Sequence, residues 1–244
     1  KYLLVEKGIR GGISTITNRY SRANNKYMKD YNPEEETKYI TYLDANNLYG
    51  WAMCQYLHIG NFRWKHNTDN FDVMKISDEN NKGYILEVDL EYPESLHHNH
   101  NDYPLAPENI KIENHMLAPF SLDIRQRNKI CSCNVSKLVP NLNNKTKYVV
   151  HYRNLKLYLS LGLKLTKIHR ILEFDQSPWL KEYIDFNTNK RKAAANDFEK
   201  DFFKLMNNSV FGKTMENLRK RVSVKLVNNL KRRKRLFSRS EEHT

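Results

Sequence analysis

Alternation of hydrophobic and polar residues predicts strands in two parts of the first hundred residues. The run Lys-Tyr-Ile-Thr-Tyr-Leu at 38–43 is β-branched and aromatic and stops at Asp44, which predicts a buried strand with a carboxylate at its end. At 84–90, apolar and polar residues alternate behind the turn signal Asn-Asn-Lys-Gly, which predicts a strand entered from a tight turn. We expect these two strands to lie in one sheet.

The second half of the chain is richer in helical patterns. Residues 151–162 favour a helix, whereas 164–174 favour a strand with a helix as the alternative. Ser177-Pro178 is a typical helix start and predicts a first helix that runs to about Lys190. A second helix is predicted from Lys192 to about Leu218, with one face that we expect to pack on a core. That face is Phe198, Phe202, Leu205, Met206 and Ser209. We expect the two helices to form a hairpin.

The stretch from 91 to 147 carries a different composition. Five prolines, at 93, 104, 107, 119 and 140, stand among many Asn and His residues. Such a composition breaks long elements and favours an irregular insertion. The histidines at 97, 98 and 100 and the Cys131-x-Cys133 pair do not have the surroundings of a metal site.

Composition and charge narrow the class of protein. The 244 residues are 39% hydrophobic, enough for a core, and carry 41 Lys and Arg against 28 Asp and Glu, a net charge of +13. No apolar stretch approaches the roughly 18 to 20 residues of a membrane span, and the first residues do not resemble a secretory signal. The three cysteines are most simply reduced thiols. We expect a soluble, intracellular protein and, since Lys1 is not a methionine, a segment of a longer one.

Positive charge is dense at the end of the chain. Residues 231–235 read Lys-Arg-Arg-Lys-Arg within a basic stretch from 219 to 244. A run of like charges is more often a solvated tail than a specific binding site. The net charge therefore does not by itself indicate DNA binding.

A basic stripe is the strongest local signal for a binding site. Lys192, Lys200 and Lys204 are 8 and 4 residues apart, so on a helix they point in nearly the same direction. Asn208 follows one turn after Lys204, and Gly212 would permit close approach of a ligand. This order of groups suits phosphate, base and sugar. A solvated lysine face is the alternative.

Asp44 and Tyr49 form the second signal. A carboxylate at the end of an apolar strand is costly unless it is paired or binds a metal, although Asp44 also suits a helix N-cap. Tyr49 suits either a core position or a platform under a sugar ring. Gly212-Lys213-Thr214 is not a phosphate loop, because Asn207 stands where that motif requires glycine.

Three motifs in this order resemble the polymerase domain of protein-primed family B DNA polymerases, including those of virus-like transposons and linear plasmids. Ile9-Arg-Gly-Gly12 is similar to the family's YxGG element. The stretch from Asp44 to Gly50 resembles motif A, DxxSLYP, with Asn in the serine place and Gly in the proline place. The stretch from Lys204 to Gly212 matches motif B, KxxxNSxYG, except for Phe in the tyrosine place.

The resemblance implies a role for each matching residue. Asp44 would be one of two aspartates that hold a pair of Mg²⁺ ions, and the Ala45 carbonyl would help to hold the second ion. Tyr49 would lie beneath the deoxyribose of a dNTP and exclude a 2′-hydroxyl. The other nucleotide-binding residues would be Lys192, Lys200, Lys204 and Asn208. The DNA-binding residues would be Arg10, Gly11, Gly12, Asn47, Ser209, Phe211 and Gly212.

The resemblance also implies an α+β fold and a set of partners. Residues 1–175 would form a partial palm, an antiparallel sheet with helices and an insertion at about 91–147. Residues 176–218 would form the helical-hairpin fingers, and 219–244 would return to the palm and end in the basic tail. Template and primer DNA, a dNTP and a terminal priming protein that contacts the insertion would be the partners, without a membrane. The nucleus and other sites of DNA replication are both open as locations.

One motif expected from the resemblance is missing. The family's second catalytic aspartate stands in a DTD core well after motif B, but no DTD occurs between Gly212 and Thr244. The Mg²⁺ pair would thus have only one of its two aspartates in this chain, which is expected to be inactive alone. A catalytically inactive nucleotide- and DNA-binding remnant of a polymerase is the alternative function. The family's exonuclease carboxylates are also absent, so proofreading is not expected.

Overall fold

The computed structural model describes residues 1–11, 13–18, 20–68, 70–130, 136–217, 221–222 and 224–238. Its helices are α1 (Tyr2–Gly8), α2 (Leu48–Met53), α3 (His97–His100), α4 (Pro119–Arg127), α5 (Tyr152–Ser160), α6 (Lys181–Ala193), α7 (Asp197–Thr214) and α8 (Leu230–Phe237). Its strands are β1 (Leu57–Lys65), β2 (Lys82–Glu91), β3 (Glu108–Lys111), β4 (Ser136–Val139), β5 (Lys145–His151) and β6 (Lys164–Ser177). The fold is therefore α+β, as predicted.

A four-stranded antiparallel sheet is the centre of the fold. Its strand order is β1-β6-β2-β5, so β2 and β6 are the inner strands. The alternation at 84–90 correctly predicts β2, and the preference for a strand at 164–174 is confirmed by β6, which continues to Ser177. Because β6 pairs along both of its edges, its length is set by two neighbours.

Helices cover both faces of this sheet. On one face, α5 packs its buried Tyr152 and Leu155 against Leu86 and Val88 of β2. On the other face, Leu4 of α1 packs with apolar residues of β5 and β6. The predicted helix at 151–162 is thus confirmed, and it is amphipathic because only one side meets the sheet.

The prediction of a buried strand at 38–43 is wrong. Lys38 makes one isolated bridge to Asn24, and residues 39–43 have no regular structure. Tyr42 and Leu43 are 94% and 84% exposed, and Asp44 follows them in an exposed loop. Strand propensity depends on the neighbours that a segment finds. The strand β2 pairs with β5 and β6 and leaves 38–43 without a partner strand.

The predicted helical hairpin is confirmed as α6 and α7, but its boundary is displaced. Lys192 lies in the last turn of α6, and α7 begins only at Asp197. The side chain of Asn196 accepts a hydrogen bond from the backbone N–H of Glu199 at 2.9 Å and caps α7. This cap ends any continuity between the two helices, so Lys192 does not share a helix with Lys200 and Lys204.

The predicted core-facing side of α7 is also wrong. Phe198, Phe202 and Leu205 are 79%, 45% and 64% exposed. The helix instead turns Asn207 inward, at 4% exposure, with Val210 and Phe211 partly buried beside it. Hydrophobicity alone gave the wrong face because the inward side of α7 contains a polar residue.

The stretch from 91 to 147 is more regular than predicted. It contains α3, α4 and a two-stranded antiparallel sheet in which β3 pairs with β4. The ammonium group of Lys145 is fully buried and donates to Glu108 at 2.9 Å, which ties β3 to the start of β5. Of the histidines, His100 Nδ1 lies 2.8 Å from the hydroxyl of Tyr92, a structural contact. Cys131 and Cys133 lie outside the described residues.

The basic run near the end of the chain forms a helix. Helix α8 contains residues 231–235, and these side chains are exposed. Among the described residues, none of the helices is both long enough and apolar enough to span a bilayer.

His151 makes the stability of the sheet dependent on pH. It caps α5, and its Nδ1 accepts a hydrogen bond from the backbone N–H of Arg153 at 3.4 Å. Burial, with a smaller effect from the charge of Arg153, lowers the pKa of His151 from 6.5 to about 4. The unfolded chain then binds more protons than the folded chain between these two values. Stability must therefore fall as the pH falls through this range.

We expect the free energy of unfolding to fall by about 2 to 3 kcal/mol as the pH is lowered from about 7 to about 4. Urea unfolding at a series of pH values measures this change. The variant His151→Asn retains a side-chain acceptor for the cap but does not titrate, so its stability should vary less over the same range. The same slope in both proteins would show that His151 is not the group responsible.

Candidate nucleotide-binding site

The loop that carries Asp44 and the helix α2 form one wall of the candidate site. Asn47 precedes α2 with φ of 53°, a left-handed conformation that Asn tolerates better than most residues. This turn directs the chain from the exposed loop at Asp44 and Ala45 into α2, where Gly50 is buried. The loop and helix thus place motif A beside the hairpin without a strand.

Asn47 and Gly50 are sterically coupled. A Cβ atom added at Gly50 would lie 2.3 Å from Nδ2 and 2.6 Å from Cγ of Asn47. The side chain of Asn47 therefore occupies the space that any larger residue at position 50 would need. This packing explains why glycine stands at position 50, where motif A of the family has proline.

The hairpin of α6 and α7 forms the opposite wall. A small core of Met53, Leu180 and Ile184 joins α2 to α6, and Val210 and Phe211 of α7 pack against it. The two helices of the hairpin are also linked by a hydrogen bond from the hydroxyl of Tyr183 to the carbonyl of Met206 at 3.3 Å. Motif A and motif B are therefore held together by direct packing.

An aromatic stack joins the two motifs at the site. The rings of Tyr49 and Phe211 are 4.1 Å apart between centroids and 13° from parallel. Tyr49 remains 51% exposed, so one side of its ring is accessible. Offset or parallel aromatic pairs of this kind add about 0.5 to 1.5 kcal/mol beyond their buried area.

Six of the predicted site residues line one cleft of about 310 Å³ between these walls. Its lining consists of Asp44, Ala45, Asn47, Leu48, Tyr49, Arg191, Lys204 and Asn208. Residues from motif A and motif B, more than a hundred positions apart in the chain, thus meet around one space. The cleft lining includes a carboxylate, an aromatic ring, two amides and two cations.

A second cleft of about 280 Å³ adjoins the first. Its lining consists of Asn46, Asn47, Thr188, Arg191, Lys192, Lys200, Lys204 and Asn207. The three predicted lysines therefore converge although they come from two helices. Oδ1 of the buried Asn207 has no hydrogen-bond partner among the residues that the structure describes.

The second cleft is strongly cationic. Lys200 is paired with Asp197 at 3.0 Å, an exposed contact on the same helix. Within the described ranges of the chain, the side chains of Arg191, Lys192 and Lys204 make no ion pair with a carboxylate. Cations held close together repel one another, and an anion with several charges relieves this repulsion. The arrangement suits a polyphosphate.

The described residues do not form a complete two-metal site. Asp44 and Ala45 line the first cleft. However, no group of three or more His, Cys, Asp and Glu side chains that could hold a metal occurs in the described part of the chain. A two-metal site needs carboxylates on both ions, so this chain's described donor set does not fit the Mg²⁺ pair.

The remaining predicted DNA-binding residues that the structure describes line neither cleft. The guanidinium of Arg10 donates to the carbonyl of Val149 at 2.5 Å and lies 3.8 Å from the ring centroid of Tyr148. Arg10 is thus bound within the fold. No atom approaches within 4 Å of a Cβ added at Gly11 or Gly212, so both positions are open. Gly12 lies outside the described residues.

Ser209 is exposed on α7, where its hydroxyl donates to the carbonyl of Met206 at 3.0 Å. This contact lies within the helix and does not direct the hydroxyl into either cleft. The DNA-binding role of Ser209 stays a prediction.

Arg191 is the main residue that the sequence analysis missed. It follows the buried residues Ile184 and Asn187 by seven and four positions on α6, which places all three on one face of the helix. This spacing was available in the sequence. It was obscured because Arg191 stands in the run Lys190-Arg-Lys192, where a solvated charge is the usual interpretation.

The family of this chain follows from a comparison with protein-family models. Residues 16–242 match the family described as DNA polymerase type B, organellar and viral. The chain belongs to this family of type B DNA polymerases. The resemblance to family B polymerases is thereby confirmed, while the Arg10-Gly11-Gly12 element lies before the matched residues.

Solved structures of Phi29 DNA polymerase also match part of the chain. The ternary complex with primer-template DNA and incoming nucleotide substrates is 19% identical over 71% of this chain and 26% of its own, with a TM-score of 0.43. An orthorhombic crystal form is 18% identical over 71% and 26%, with a TM-score of 0.42. The chain spans about a quarter of the length of these structures. No curated protein sequence matches the chain.

The coupling of Asn47 and Gly50 predicts opposite effects of one substitution in two backgrounds. Gly50→Ala should destabilise the protein by about 1 to 3 kcal/mol, because its methyl group overlaps the side chain of Asn47. In the background Asn47→Gly, which suits the left-handed conformation and removes the overlap, the same change should be neutral or stabilise by up to about 1 kcal/mol. Urea unfolding of the four proteins measures both effects. Equal effects in the two backgrounds would contradict the coupling.

Proposed function

We propose that this chain forms the nucleotide-binding part of a DNA-directed DNA polymerase, which transfers a nucleotide from a dNTP to a primer hydroxyl. The observation that carries the proposal is the shared cleft, in which Asp44 and Tyr49 of motif A face Lys204 and Asn208 of motif B. Membership of the type B family supports the same reaction class. The residue types match what a dNTP requires: cations for phosphate and a flat surface for the sugar.

The triphosphate binds in the cationic cleft. Lys192, Lys200 and Lys204 hold its oxygens as point charges, since phosphoryl transfer depends mainly on positioning and electrostatic stabilisation. The ion pair between Lys200 and Asp197 is exposed and contributes little to the stability of the protein. A phosphate can therefore replace the carboxylate of Asp197 at small cost in free energy. The site is open to solvent before the nucleotide binds.

The sugar and base bind against the aromatic stack. Tyr49 lies beneath the deoxyribose and leaves no room for a 2′-hydroxyl, while Asn208 and Phe211 contact the nascent base pair. The stack with Phe211 fixes the Tyr49 ring on one side and leaves the other for the nucleotide. Selection of deoxyribose then depends on the rigidity of this pair.

Template and primer DNA pass over the outer edge of the same site. Asn47, Ser209, Phe211 and Gly212 face the nascent end of the duplex, and the Arg10-Gly11-Gly12 element contacts the template strand, with open space at Gly11. Because its guanidinium is bound to Val149 and Tyr148, Arg10 contributes by fixing this loop against the sheet. Backbone contacts of this kind position DNA without reading its sequence.

The proposal includes an arrangement of domains. Residues 1–175 act as a partial palm, 176–218 as the fingers and 219–244 as the return to the palm with the basic tail. A terminal priming protein contacts the insertion at 91–147, whose β3–β4 sheet is fixed to β5 through the Lys145–Glu108 pair. An intracellular site of DNA replication is the location that this function requires.

A second candidate function is a nucleotide- and DNA-binding remnant without catalysis, because the described residues do not form a complete two-metal site. Asp44 is the one motif aspartate among the residues that line the two clefts. The two candidates share the nucleotide site and differ in chemistry. Binding and primer extension must therefore be measured separately.

We expect the 244-residue chain to bind dATP, and Lys204→Gln to weaken this binding by about 10-fold or more, because hydrogen bonds to charged groups contribute about 1.5 to 3 kcal/mol. Isothermal titration calorimetry measures the affinities. Lys213→Gln is the matched control: it removes a lysine of the same helix that lines neither cleft and contacts Glu216. Equal affinities in both variants would contradict the proposed site.

Primer extension with Mg²⁺ and all four dNTPs distinguishes the two candidates in the same preparation. With one motif aspartate we expect no detectable extension by this chain. Extension that is lost in Asp44→Ala would instead establish the polymerase function for the chain alone. Extension that survives Asp44→Ala would refute the assignment of the active site.

A further inference from the structure

Arg191 has an unusual position for a surface cation. It lies in the last turn of α6, on the same face as Ile184 and Asn187, which are 1% and 3% exposed. The backbone carbonyls at the end of a helix carry partial negative charge and favour a cation there. Its location is therefore set by the buried packing of α6 and by the helix end.

Arg191 lies where the two clefts meet. Three residues line both clefts: Asn47, Arg191 and Lys204. On one side are the carboxylate of Asp44 and the ring of Tyr49, and on the other are the remaining lysines. A nucleotide with its sugar in the first cleft and its terminal phosphates in the second must pass this junction.

The Arg191 guanidinium is available for a ligand. In the described ranges it makes no hydrogen bond and no ion pair, not even with Asp44 in the same cleft. Beside it, the buried side chain of Asn207 leaves Oδ1 without a described partner in the second cleft. An unpaired guanidinium beside unpaired ammonium groups is repelled by them until an anion binds.

We propose that Arg191 is a further nucleotide-binding residue, which holds the phosphate at the junction of the two clefts. This inference rests on the proposed function. Arginine suits the junction because its planar fork presents five donors and grips two phosphate oxygens at once, whereas a lysine acts as a point charge. Lys204 provides the second charge at the same point, and the other two lysines take the outer phosphates.

A phosphate at this junction has two sources, a dNTP or the backbone of primer-template DNA. We assign it to the dNTP, because the clefts are small, at about 310 and 280 Å³, and end beside Tyr49 and Asn208. The test must therefore include both ligands. Inorganic tripolyphosphate and deoxyadenosine separate the contribution of the phosphates from that of the nucleoside.

Arg191→Gln and Lys190→Gln form a matched pair of variants. Both remove one positive charge from the last turn of α6. Lys190, however, lines neither cleft, and its Nζ lies 5.7 Å from the ring centroid of Phe186. We expect Arg191→Gln to weaken dATP and tripolyphosphate binding by about 10- to 100-fold, as for loss of a charged hydrogen-bonding group. Lys190→Gln should change both by no more than about 2-fold, since exposed charges are screened. Deoxyadenosine and primer-template binding should change little in either variant.

Arg191→Lys tests the geometry with the charge retained. It should recover only part of the affinity, because one ammonium group replaces a bidentate fork. If Arg191→Gln does not fold, as judged by circular dichroism, the loss in Arg191→Lys relative to wild type still decides the question.

Two results would overturn the inference while the proposed function survives. One is normal dATP affinity in Arg191→Gln when Lys204→Gln is impaired. The other is loss of primer-template binding with dATP binding intact, which would assign Arg191 to DNA. Absence of dATP binding in the wild-type chain would instead refute the proposed function and the inference together.

Discussion

The packing of α2 against the helical hairpin is the interaction on which the candidate site depends. Met53 of α2 and Leu180 and Ile184 at the start of α6 form a small core that brings two distant parts of the chain together. The Tyr49–Phe211 stack extends this contact to the surface. Without it, the loop at Asp44 would have no neighbour, since 39–43 do not join the sheet.

The positions of a few positive charges indicate the binding site, whereas the net charge does not. The net charge of +13 includes the exposed basic residues of α8, which any polyanion can meet. The cations at the clefts are few, and buried packing of α6 and the cap of α7 determine where they stand. Repulsion among these cations lowers the free energy of unfolding, and a bound polyphosphate removes this repulsion.

Secondary structure was predicted correctly where a segment's own alternation or periodicity determines it. It was predicted wrongly where it depends on a partner that is distant in the sequence. Strand β2 and helix α5 were predictable because their own periodicity shows which face is buried. The two helices of the hairpin were predictable as elements, but the buried face of α7 was not. The run at 38–43 has strand propensity but found no partner strand. On α7, the buried face holds Asn207, so a search for apolar residues chose the exposed side. The residues of the clefts were predicted mainly through their motifs, and Arg191 lay outside those motifs.

Photo-crosslinking with an azido derivative of dATP tests most directly whether the α2–hairpin interface is the nucleotide site. The protein is irradiated with a low concentration of the azido derivative, and mass spectrometry then identifies the labelled peptides. We predict labels in the segment around Asp44 and α2 and in the facing parts of α6 and α7, and we expect excess unmodified dATP to prevent this labelling. Labels confined to the basic helix α8, or labels that dATP does not displace, would contradict it.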